Sequence, residues 1–132
     1  MSTTIAFDVY GTLIDTQGVL SLLEQMIGEP AASFSQTWRE KQLEYSFRRG
    51  LMQNYANFGV CTSQALDYTC QYYKVALSNG QKDELLASYS TLPAFADVNE
   101  GLTRLRDAGL PLYAFSNGSA AAVETLLNNA GI

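Results

Sequence analysis

Ile5-Ala6-Phe7-Asp8-Val9-Tyr10-Gly11-Thr12-Leu13 decides how the rest of the chain is read. Its apolar run, closed by a Gly-Thr turn, predicts a buried β-strand ending at Asp8. Ligands of open α/β sheets bind just outside the carboxyl ends of the strands. A carboxylate there, poorly solvated and beside a turn whose N–H groups can hold an anion, is a candidate nucleophile. An Asp that merely caps the strand-to-turn junction is the plain alternative, and this stretch alone does not choose between them.

A second apolar run, Leu110-Pro111-Leu112-Tyr113-Ala114-Phe115, ends in the polar turn Ser116-Asn117-Gly118-Ser119. An amphipathic helix over Val98–Ala108, stopped by Gly109, precedes it, and an Ala-rich helix reaching about Ala130 follows. Helix, strand, polar turn, helix is the order of a parallel sheet. Asp8 and Ser116 each follow their strand by one position, so adjacent parallel strands would bring both side chains to one sheet edge. A helix N-terminus after Ser119 would complete an anion cradle there.

Between these parts, residues 16–92 read as helices without a strand. The spacing predicts helices over Val19–Ile27, from Ser33 or Ser35 to about Arg49, over Leu51–Phe58, from a Thr62-Ser63 cap to Leu77, and over Lys82–Thr91. Gly28, Gly50 and Ser78-Asn79-Gly80 are the expected breaks. Phe34, Trp38, Tyr45 and Met52 form an apolar stripe, and the aromatic residues of this block read chiefly as packing. The expected organisation is an α/β core of residues 1–15 and 93–132, interrupted by a helical insert of residues 16–92.

Composition narrows the chemistry. The 132 residues are 47% hydrophobic, as in an ordinary folded protein, and carry a net charge of −5, which argues against binding a nucleic-acid backbone. No apolar run approaches the ~18 residues of a membrane span, and the N-terminus has no signal-type segment, so a cytoplasmic protein without a membrane partner is expected. Cys61 and Cys70 fit neither a metal spacing nor a disulfide framework and read as small buried residues. The chain contains no histidine. That removes Ser-His-Asp and Cys-His catalysis and His-based zinc sites, whereas an aspartate nucleophile survives.

Asp8-Val9-Tyr10-Gly11-Thr12 resembles motif I of the haloacid dehalogenase superfamily, and Phe115-Ser116-Asn117-Gly118 resembles its motif II. Trp38-Arg39-Glu40-Lys41-Gln42-Leu43-Glu44-Tyr45 is similar to the cap-helix signature of the type II L-2-haloacid dehalogenases. Leu51-Met52-Gln53-Asn54-Tyr55-Ala56-Asn57-Phe58 and Leu92-Pro93-Ala94-Phe95 also resemble that subfamily, in order and over almost the whole chain. The resemblance implies a partial Rossmann-like core of parallel strands with an inserted helical cap. It implies that Asp8 attacks the halogen-bearing carbon of a short 2-haloacid and forms an ester, which water then hydrolyses. Thr12, Ser116 and Asn117 would orient Asp8 and hold the substrate carboxylate, and Arg39 would receive the halide. Val9, Tyr10, Leu43 and Phe58 would contact the substrate.

Tyr10 separates this from the phosphatases of the superfamily, which carry an acidic residue at that place to protonate the leaving group. Halide needs no proton to leave, and a carboxylate substrate needs no magnesium, so neither metal nor cofactor is expected. Read without the motif, Arg39 is a solvated helix arginine paired with a nearby Glu, as Arg48 and Arg49 are taken to be. Thr12, Ser116 and Asn117 would then serve only their own turns. The family pattern continues with a Lys and with an acidic cluster for the hydrolytic water, which match nothing in this chain. An N-terminal portion of a longer enzyme is therefore expected. Two strands leave an open sheet edge that invites pairing with another chain, and a homodimer is the expected assembly. A superfamily phosphatase and a non-catalytic, self-associating module are the alternatives.

Overall fold

The structure, a computed structural model, describes residues 3–132. The chain forms two compact units, Met1–Gly18 with Ser90–Ile132, and Val19–Tyr89.

In the first unit, β1 (Ile5–Phe7) pairs in parallel with β2 (Leu112–Ala114), in the register Ile5↔Leu112, Ala6↔Tyr113, Phe7↔Ala114. Parallel pairing of strands so far apart in sequence requires a crossover, and α5 (Val98–Asp107) precedes β2 while α6 (Ala120–Asn129) follows it. Phe7, Leu112, Leu102 of α5 and Leu127 of α6 line an apolar hollow of about 290 Å³, so the helices cover the sheet incompletely. Neither strand is buried as expected. Ile5, Phe7 and Leu112 are half-buried, Ala6, Tyr113 and Ala114 are exposed, and Phe115 just beyond β2 is 78% exposed. A parallel sheet buries its strands only when layers cover both faces, and two strands cannot make such a sheet. The core of this unit sits instead around Val9, Leu13, Ile14, Leu92, Val98, Val123 and Leu126.

The places where the chain leaves and returns to this unit are tied together. Asp15 N donates to Pro93 O (2.8 Å) and Phe95 N to Leu13 O (3.1 Å), around an antiparallel bridge between Ile14 and Ala94. Asn129 at the end of α6 donates its amide to Ser90 O (2.7 Å). The approach is so close that a Cβ on Gly18 would lie 2.5 Å from Pro93 Cδ. Gly18→Ala is therefore expected to destabilise the protein by roughly 1–3 kcal/mol, since a rigid proline ring cannot swing aside. A lowered urea midpoint with an unchanged slope would show it.

The second unit consists of α1 (Leu20–Ile27), α2 (Ala31–Leu51), α3 (Phe58–Tyr73) and α4 (Asn79–Ser88), with a 3₁₀ turn over Thr16–Val19 leading in. Ala31, Phe34, Ser35, Trp38 and Gln42 recur at helical spacing and are the buried face of α2. Cys61, Ala65, Leu66, Thr69 and Cys70 of α3 supply further buried side chains, and Trp38 Nε1 donates to Thr62 O (2.9 Å). Both cysteines are buried and free, and burial pushes the Cys70 thiol up, which keeps it protonated and inert.

Several expected boundaries are corrected here. α2 runs through Gly50 to Leu51, because a glycine in the last turn of a long packed helix costs too little to end it. Leu51–Phe58 is no helix; the chain turns at Met52 and Gln53 and then extends, and Met52 is exposed, outside the apolar stripe. Asn57, not Thr62, caps α3 by accepting from Val60 N, and the Thr62 hydroxyl bonds back to Phe58 O inside the helix. α3 ends at Tyr73 with Lys74 left-handed (φ 54°), a stop without the usual glycine. Ser78 opens α4 rather than closing a helix, through a capping box with Gln81. Among the described residues no helix is long and apolar enough to cross a membrane.

Candidate active site

β1 ends at Phe7, and the next residue, Asp8, presents its carboxylate at the carboxyl edge of the sheet. Behind it the chain folds tightly. Thr12, Leu13 and Ile14 all donate their backbone N–H to Val9 O, and Gly11 N donates to Ile14 O (2.8 Å). Gly11 has φ +89°, a conformation strained for any residue with a Cβ, which accounts for glycine in this turn. The turn brings Thr12 back over the strand end, where its hydroxyl donates to Asp8 Oδ2 (3.0 Å). The carboxylate is thereby oriented by one charge-assisted hydrogen bond.

Three expectations about this edge change. Asp8 is exposed rather than poorly solvated, at the end of a sheet of two strands. The N–H groups of Gly11 and Thr12 are spent inside the turn, so they do not face an anion. Ser116 follows β2 by two positions, not one. The register carries Asp8 level with Phe115, whose N–H donates to Phe7 O (2.7 Å). Ser116 therefore lies one step further along the edge than Asp8.

The β2–α6 turn uses its own hydroxyls. Ser116 Oγ accepts from Gly118 N (3.1 Å), and Ser119 Oγ caps α6 by accepting from Ala122 N (3.3 Å). A hydroxyl that accepts still has its proton to donate, so Ser116, half-buried, keeps a donor for an incoming oxyanion. Asn117 is exposed beside it. Gly118, part of the motif II stretch but given no role there, joins the two edge loops. A Cβ there would lie 3.0 Å from Val123 Cγ2 and 3.3 Å from Cε2 and Oη of Tyr10. The Tyr10 ring thus packs on the second loop. Val9 is fully buried and contributes its carbonyl to the turn rather than a side chain to an open wall.

Arg39, Leu43 and Phe58 belong to the helical unit. Arg39 lies mid-α2 and is half-buried, with its guanidinium carbon 5.9 Å from the centre of the Phe58 ring and its Nη1 donating to Gln42 Oε1 (3.4 Å). Phe58 is 7% exposed and so supports Arg39 as well as excluding water. Leu43 is half-buried on the same helix. Glu44, by contrast, pairs with Lys41 (2.6 Å) and with Arg48, and these cations hold its carboxyl below the usual range. Arg49 donates to Asn54 O and Gln64 Oε1. Arg48 is exposed and pairs with Glu44, whereas Arg49 is half-buried, as Arg39 is. Among the described residues, no three His, Cys, Asp or Glu side chains gather as a metal-ligand set.

A family model, haloacid dehalogenase-like hydrolase, matches residues 3–132. The chain belongs to the haloacid dehalogenase-like hydrolases. As a haloacid dehalogenase-like hydrolase it is similar to an (S)-2-haloacid dehalogenase of Pseudomonas putida, with 38% identity over 125 residues, 95% of this chain and 55% of that one. It is also similar to haloacetate dehalogenase H-2 of Moraxella sp. (strain B), with 38% identity over 97% of this chain and 57% of that protein. Among solved structures, L-2-haloacid dehalogenase from Xanthobacter autotrophicus with chloropropionic acid covalently bound superimposes with a TM-score of 0.90 and 34% identity, covering 99% of this chain and 53% of that chain. The chain spans about half the length of the curated relatives it matches. The superfamily resemblance carried by Asp8–Thr12 and Phe115–Gly118 is borne out, and the two parallel strands with their flanking helices are part of that family's α/β fold.

Proposed function

We propose that this chain carries the nucleophile and the halide acceptor of a hydrolytic dehalogenase acting on short 2-haloalkanoic acids. The observation that carries this reading is an exposed Asp8 carboxylate at a sheet edge, oriented by the Thr12 hydroxyl, with Tyr10 in place of an acid two residues on. One Asp8 oxygen attacks C2 of the acid, the carbon–halogen bond breaks with its electron pair leaving on the halide, and an ester forms with inversion at C2. Water then adds at the Asp8 carboxyl carbon, which releases the 2-hydroxy acid, restores the carboxylate and delivers one proton to solvent. Ser116 and Asn117 hold the substrate carboxylate, and Arg39, always charged, takes the halide. Residues 16–92 serve as the cap, and Tyr10 of the core with Leu43 and Phe58 of the cap are the apolar contacts to substrate.

The relatives support this reading, being named for 2-haloacids and haloacetate, as does the covalently bound chloropropionic acid of one structural neighbour. The same reading takes the protein as a metal-independent, cytoplasmic homodimer. Phe47, Leu51, Met52 and Tyr55, large apolar residues left exposed, support self-association, and the free buried thiols suit a reducing compartment.

The test is incubation of the protein with (S)- and (R)-2-chloropropionate. The S acid is expected to release chloride and to leave the Asp8 peptide heavier by the acid less hydrogen chloride. Absence of both signals with every short 2-haloacid would overturn the proposal.

A further inference from the structure

Position 42 lies on the buried face of α2, four residues after Trp38, where the helical period calls for an apolar side chain. Gln42 occupies it and is completely buried. A buried primary amide costs free energy unless each end is paired, so its two ends identify what it is for. The amide nitrogen donates to Tyr89 Oη (2.7 Å), and the amide oxygen accepts from Arg39 Nη1 (3.4 Å). Tyr89, at the end of α4, is itself held edge-on against Trp38, with ring centres 5.2 Å apart. The guanidinium, which can only donate, requires the amide oxygen on its side, and the amide nitrogen is then held by Tyr89 Oη; the reverse orientation would set donor against donor at Arg39.

We propose that Gln42 and Tyr89 are positioning residues for Arg39, a relay that fixes the rotation of the guanidinium. The relay rests on the proposed role of Arg39 as halide acceptor only for its purpose, not for its existence. A neutral amide suits the task, because a carboxylate at position 42 would neutralise the guanidinium and compete with an incoming anion. Phe58 bears on the guanidinium from another side, and Gln42 sets its rotation.

Side-chain nitrogen NMR tests this. In the wild-type protein, slow rotation of the Arg39 Nη groups and a bromide-induced shift of the Arg39 Nε signal are expected. Gln42→Leu should speed that rotation several-fold and weaken bromide binding by about three- to tenfold, the size of one buried hydrogen bond. Tyr89→Phe, which keeps the ring against Trp38 and removes only the oxygen, should act on Arg39 in the same direction to a smaller extent, with a modest drop in melting from the unpaired amide nitrogen. A purely structural role would move melting and leave Arg39 untouched. Unchanged Arg39 rotation in both variants overturns the relay. A wild-type protein whose Arg39 signals ignore bromide overturns the halide role instead, while the rotation rates still judge the relay.

Discussion

Asp8→Asn is expected to lower chloride release from (S)-2-chloropropionate, and labelling of the residue-8 peptide, by at least about a thousandfold, the scale of losing a covalent nucleophile. An amide oxygen is a far weaker nucleophile than a carboxylate. The substitution is otherwise mild, because Asn keeps an acceptor for the Thr12 hydroxyl, which lies 3.0 Å from Asp8 Oδ2, and residue 8 is exposed. Melting followed by circular dichroism should therefore be nearly unchanged. Chloride release within tenfold of wild type would show that Asp8 is only the strand-end cap, whereas loss of activity together with loss of fold would show that the turn depends on its charge.

Trp38→Ala is expected to carry the largest stability loss, roughly 3–5 kcal/mol, the range for truncating a buried aromatic to Ala. Trp38 is fully buried, donates to Thr62 O across to α3, and meets the Tyr89 ring edge-on. Truncation removes all three and leaves a cavity bounded by helices too constrained to close over it. Trp38→Phe keeps much of the volume, loses the indole hydrogen bond, and should cost markedly less. Urea titration read by far-ultraviolet circular dichroism gives the comparison, since Trp38 is the sole tryptophan and its emission would be lost with it. A loss under 1 kcal/mol for Trp38→Ala would mean that the α2–α3 contact is not the core of the helical unit.

Much of this was legible in residue order. The apolar runs at Ile5 and Leu112 gave the parallel pair, the polar turn ending at Ser119 the start of α6, and Gly109 and Gly131 the ends of the last two helices. What misled were local signals with a second meaning. Ser78-Asn79-Gly80 reads equally as the end of one helix and the start of the next, and only the reciprocal bonds of Ser78 and Gln81 decide. Gly50 looks like a breaker when viewed alone, yet the packed helix before it carries it along. Lys74 ends α3 in a left-handed conformation that nothing in its side chain advertises.

The candidate site divides along the same line. Residue types and position made Asp8, at the end of an apolar run, a candidate nucleophile and discarded histidine chemistry. The roles given to Thr12, Tyr10 and Arg39 came only with the family resemblance, since the local sequence around Arg39 does not set it apart from Arg48 and Arg49. Tertiary structure alone decided that Asp8 stands in solvent, that Gly11 and Thr12 turn their N–H groups inward, that Gly118 seats Tyr10, and that Ser116 lies one register step beyond Asp8. It alone joined Gln42 to Tyr89, 47 residues away. A buried polar group must find a partner wherever the fold brings one, and no local pattern records which residue that will be.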